Sequence, residues 1–179
     1  MIDRRELILV YLEALLKTIA PGVVFPLPGP PHRPIVTDLR GQVFTQMIPE
    51  ARFANITLPA VELLTSASEE DTIREAASDE MYLATLHVDV LGYVRAPDTG
   101  SSGTARVRAE ANALRADLIV AIESLPYWTS TDFPESLRRR CGEITTTLTS
   151  QFTEAPLDIP MGFTTVSYAI TYAFSRTNP

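Results

Sequence analysis

MYLATLHVDVLGYVR, residues Met81–Arg95, is the stretch that decides the fold. Tyr82, Ala84, Leu86, Val88, Val90, Gly92 and Val94 fall on one side of an extended chain, with Thr85, His87, Asp89 and Arg95 on the other. Successive side chains of a strand point to opposite faces, so this alternation predicts a long strand with one buried face. The turn formers of APDTGSSG (96–103) close it, and the sequence predicts a flexible loop over 97–103.

Downstream, the period changes. Val107, Ala111, Leu114, Leu118, Ile122 and Leu125 form one stripe at helical spacing over Thr104–Leu125, with Arg108, Arg115 and Glu123 off it. Pro126 to Pro134 ends that helix in an irregular, aromatic segment. Alternation then returns twice. Ile144, Thr146, Leu148, Ser150 and Phe152 read as one face of a strand, and Val166, Tyr168, Ile170, Tyr172 and Phe174 as one face of another.

Upstream, Leu7, Val10, Tyr11, Ala14 and Leu15 predict a helix within Asp3–Ile19, stopped by Ala20-Pro21-Gly22. Ile8, Leu9, Leu12 and Leu16 widen its apolar surface beyond one sheet contact. Either the fold wraps this helix or a neighbouring chain covers its second face. Six prolines in residues 21–34 fix φ and remove donors, so that stretch is an extended arm. A short strand is expected at Pro34–Leu39, a second strand followed by a loop within 42–58, and another strand at Ala60–Thr65. Two amphipathic helices and an antiparallel or mixed sheet with one apolar face bury each other as a two-layer α+β sandwich, helices on one face, with extended arms and loops. The 179 residues fit one domain, 1–179.

Twenty-two acidic and 15 basic residues give a net charge of −7, which disfavours binding to DNA. An acidic wall can still line a conduit through which DNA slides. Lys17 is the one lysine, so nearly all the positive charge is arginine, which fits genomic base composition or enrichment for interfaces. Cys141 is the one cysteine and forms no internal disulfide, which suits a reducing compartment and cytoplasmic synthesis. The first apolar stretch is cut by Glu13 and Lys17, so neither a signal peptide nor a membrane span is expected, and the Asn55-Ile-Thr acceptor pattern carries no weight.

Catalytic chemistry finds little material. Lys17 follows Leu16 within a helix and not a glycine loop, and Gly100-Ser-Ser-Gly103 reads as a plain turn more readily than as a phosphate nest. His32, His87 and Cys141 stand at no metal-ligand spacing, so no metal or other cofactor is expected. His87 and Asp89 share a strand face, but no nucleophile motif accompanies them, and a surface pair is the simpler reading. Glu69-Glu70-Asp71 with Glu75, Asp79 and Glu80 reads as a solvated acidic loop. Arg138-Arg139-Arg140 is the one basic run, suited to an acidic protein partner. No enzyme is expected.

The N-terminal helix, proline-rich segment, strand LHVDVLGYV (86–94), alanine-rich helix and closing strand TTVSYAITY (164–172) together resemble the tail terminator proteins of long-tailed phages. The likeness runs from about Glu6 to Phe174 and is one of arrangement, without a diagnostic motif. It implies a virion structural protein that closes a homo-hexameric ring on the tail tube. Such a ring ends tube growth, joins the tail to the head connector or head-completion protein, and passes DNA through its lumen. Assembly takes place in the host cytoplasm. On this reading the arm 21–34 and the loop residues Pro97, Asp98, Gly100 and Gly103 reach neighbouring subunits or the tube, while Arg138, Arg139 and Arg140 meet an acidic partner. The alternative is a cytoplasmic ligand-binding or regulatory two-layer α+β domain, with a pocket between sheet and helices.

Overall fold

The alternating stretch forms a 15-residue strand that pairs along its whole length. A computed structural model describes residues 3–48, 55–65, 74–75, 81–95, 101–154 and 161–175. In chain order these form α1 (Arg4–Lys17), β1 (Val43–Phe44), β2 (Ala60–Thr65), β3 (Arg74–Glu75), β4 (Met81–Arg95), α2 (Ser101–Ser124), α3 (Leu137–Cys141), β5 (Ile144–Glu154) and β6 (Met161–Ser175). The sheet order is β1-β2-β4-β6-β5, with β3 on β4. β1 and β2 run parallel; every other pair is antiparallel. The expected α+β sheet-and-helix arrangement is therefore present, with a mixed sheet.

β4 and β6 pair along their whole lengths, from Met81 opposite Ser175 to Arg95 opposite Met161. In that register Ala84, Leu86, Val88, Val90 and Val94 share a face with Val166, Tyr168, Ile170 and Tyr172, all buried. α2 packs across this face, and Val107, Ala111, Leu114, Leu118 and Ile122 from its stripe complete the layer. The opposite face carries Thr85, His87, Asp89, Thr165, Ser167 and Thr171, all half-exposed.

α1 opens at Asp3, whose carboxylate accepts the Arg5 N–H at 3.1 Å. It lies against α2, α3 and β1, burying Ile8, Tyr11, Leu12, Leu15 and Leu16; Val10 alone on it is an exposed large hydrophobe, at 38%. The chain itself thus covers most of the wide apolar surface. The proline-rich arm seats Phe25 in the core while Val24 stays 82% exposed.

Pro34–Leu39 forms no strand, a correction to the sequence reading. Two of its backbone donors go to a side chain instead, the N–H groups of Val36 and Thr37 donating to Asp117 Oδ2 at 3.2 and 2.9 Å, and the Leu39 N–H donates to the Ile19 carbonyl at 2.9 Å. Arg33 Nη2 reaches Asp117 Oδ1 at 2.6 Å, so one fully buried carboxylate on α2 holds the end of the arm. Extended backbone satisfied this way has no need of a ladder partner. Ile35 and Leu39 fill the core beneath it.

Two further boundaries differ. α2 begins at Ser101, so Ser101–Gly103 are helical and not part of a loop; 96–100 lie outside the described residues. β5 does not keep one face throughout. A bulge at Thr149 separates Leu148, opposite Tyr168, from Ser150, opposite Ser167, and moves Ser150 and Phe152 to the outer face. Phe152 is accordingly 54% exposed. One unpaired extra residue reverses the alternation of all that follow.

Candidate functional site

The basic run predicted from sequence lies on α3, a single turn and a half tucked beside β5 and β6. Leu137 and Cys141 anchor that turn in the core, which leaves Arg138, Arg139 and Arg140 exposed at its surface. Arg138 lies over the Tyr127 ring, its guanidinium carbon 5.3 Å from the centroid, and donates to the Tyr127 hydroxyl at 3.0 Å. Arg140 donates to the Tyr11 hydroxyl at 3.2 Å, and that hydroxyl donates to the Glu135 carbonyl at 2.8 Å. Tyr11 is in turn held by Phe133 at 4.2 Å and, edge-on, by Trp128 at 6.2 Å between ring centroids. The aromatic segment after α2 is therefore the mount on which the arginines are set.

Arg4 joins the same corner from α1, donating to the Ala173 carbonyl at 2.6 Å. Among the described residues none of Arg4, Arg138, Arg139 and Arg140 has a carboxylate within ion-pair distance. The corner is thus a positive patch on a protein of net charge −7. Sequence reading found the run but not Arg4, which is 134 or more residues distant and reaches it only through the packing of α1 against α3. Beneath the patch, burial raises the Cys141 thiol pKa, while Arg4 and Arg140 pull it down; the net shift is upward.

The other predicted contacts are scattered. Pro97, Asp98 and Gly100 lie outside the described residues, and Gly103 falls in the first turn of α2. The arm's exposed stretch, Pro28 to Pro31, is closed at its base by the Phe25 N–H donating to His32 Nε2 at 3.2 Å. His87 and Asp89 sit on the outer sheet face opposite Ala169 and Ser167, in a threonine- and serine-rich band. Among the described residues no group of three His, Cys, Asp or Glu is arranged to hold a metal, and no helix is long and apolar enough to cross a membrane.

Two tyrosines carry strong shifts. Burial, reinforced by Glu62, raises the Tyr93 phenol well above its ordinary value; its hydroxyl donates to Glu62 Oε2 at 2.9 Å. Glu62 is buried, and its other oxygen accepts the Ile48 N–H. Burial, reinforced by Glu123, does the same to Tyr168. Both phenols therefore serve as neutral donors in the fold. A cleft of about 400 Å³ opens between α2 and the end of β4, bordered by Thr37, Pro59, Val94, Arg95, Glu110 and Leu114.

No protein-family model matches the chain, and no curated protein matches it in sequence.

Proposed function

We propose that this chain is a structural subunit and not an enzyme: a tail-terminator-like protein that assembles as a ring on a phage tail tube, ends tube polymerisation and joins the tube to the head connector. The observation that carries the reading is the arginine corner. Four guanidiniums, two of them mounted on tyrosines and all without carboxylate partners among the described residues, are arranged for contact with an acidic protein surface. Arginine held by packed neighbours loses little further freedom on binding, which favours such residues at interfaces. The arrangement of elements resembles that of the tail terminators, and a ring of acidic subunits gives DNA a lumen to which it does not adhere.

The test is the native mass of the purified protein, alone and after mixing with tail tubes. A hexamer, or a monomer that forms a ring on tubes and stops their growth, is the expected result. A monomer that ignores tubes overturns the reading. It would favour the alternative, a ligand-binding or regulatory domain, which has the cleft beside Arg95 and Glu110 as its supporting observation.

A further inference from the structure

The sheet order places the arginine corner at one lateral flank, on α3 beside the edge strand β5. At the other flank, between α1 and the Leu63–Thr65 end of β2 that extends past the short edge strand β1, lies a groove of about 340 Å³. Glu6 and Glu13 rim it, and Leu9, Val10, Thr45 and Leu64 line it. Glu6 makes no ion pair among the described residues, whereas Glu13 holds Lys17. At about 100° per residue, positions 6, 9, 10 and 13 follow one flank of α1, and Tyr11, which binds Arg140, lies on the opposite side. One helix thus separates an acid-rimmed, partly apolar groove from an unneutralised basic patch.

We infer that the Arg138–Arg140 corner of one copy docks on the Glu6–Glu13 groove of the next. This rests on the ring reading above and names its contact. Charge selects the occupant: the groove offers carboxylates around exposed apolar surface, and the patch gathers arginines that lack carboxylate partners among the described residues. Because the two complementary surfaces lie on opposite flanks, one pair of copies cannot satisfy both at once. A contact of this kind is head-to-tail and propagates until it closes. The Val10 side chain, exposed in a single copy, becomes covered in the assembly.

A charge swap tests the contact. Glu6→Arg/Glu13→Arg leaves a basic groove and a basic corner; Arg138→Glu/Arg139→Glu leaves an acidic corner and an acidic groove. Each variant alone should lose self-association by roughly a hundredfold or more, since like charges then face each other across the contact. An equimolar mixture should recover the wild-type mass, because every contact in an alternating assembly again joins opposite charges. Sedimentation velocity reads the mass and circular dichroism checks the fold. If Arg138→Glu/Arg139→Glu disturbs folding, Arg139→Glu alone replaces it, as that side chain makes no hydrogen bond or ion pair among the described residues. Where wild type forms rings on tail tubes only, the comparison is made on tubes. A wild-type ring unmoved by the reversals, or a mixture of folded variants that stays monomeric, overturns this contact and leaves the ring reading standing. Wild type that is monomeric both free and on tubes overturns both.

Discussion

Asp117 is the residue whose loss should be felt furthest from its own position. Its carboxylate is fully buried and accepts from Arg33 and from two backbone N–H groups of the segment after the arm. Asp117→Ala leaves those N–H groups without their acceptor and is expected to cost about 3 kcal/mol, since hydrogen bonds to charged groups contribute about 1.5–3 kcal/mol each. A urea midpoint checks this, and limited proteolysis should find the 33–37 segment newly accessible. Cys141 supplies a second test. Its fully buried position and raised pKa predict that a thiol reagent reacts slowly with the native chain and quickly once denaturant is added. Fast labelling of the folded protein would contradict the placement of α3.

Among the elements, α2 and β4 approach so closely at Gly92 that an added Cβ would stand 2.6 Å from Leu114 Cδ2 and 3.0 Å from Thr164 Cγ2. The helix can sit on the sheet there because glycine has no side chain. Gly92→Val is expected to destabilise the fold by about 1–3 kcal/mol through overpacking, measured by thermal or urea unfolding. β5 has a different logic. It is an edge strand, and an edge with a free row of backbone donors and acceptors invites pairing with another chain. The bulge at Thr149 bends that edge, and the Thr149 hydroxyl donates to the Ser167 carbonyl at 2.9 Å. Deleting Thr149 leaves Leu148 inside and Ser150 outside while straightening the ladder. The deletion should fold, with an unchanged circular dichroism spectrum, but aggregate more readily in light scattering.

For the whole molecule, pH acts through Tyr93 and Tyr168. Both have pKa values raised above the ordinary 10.0, chiefly by burial. The folded chain therefore keeps these protons at a pH where the unfolded chain gives them up. Their contribution is fully present below about pH 10 and is lost as pH rises through the folded-state values. The urea midpoint should fall as pH is raised above about 10, and less steeply in Tyr168→Phe, which cannot ionise there. A midpoint that stays level across this range would show that neither phenol is shielded as described.

The periods along the chain were enough to locate β2, β4, α2 and β6 and to require a two-layer α+β arrangement, because alternation and helical spacing are local properties of a sequence that buries one face. They were also enough to single out Arg138–Arg140, since a run of three like charges is visible without any partner. Residues distant in the chain decided the rest. Pro34–Leu39 has the composition of a strand, but Asp117, some eighty positions later, takes two of its donors. The reversal of faces in β5 depends on how Thr149 meets β6, and no alternation count contains that register. Arg4, Tyr11 and Arg140 become neighbours, and Glu6 and Glu13 come to rim a groove with Leu63–Thr65, only when α1 packs between α3 and the β2 side. Local pattern determines which residues are buried; which exposed charges share a surface depends on how the elements are docked, and that is a property of the tertiary structure alone.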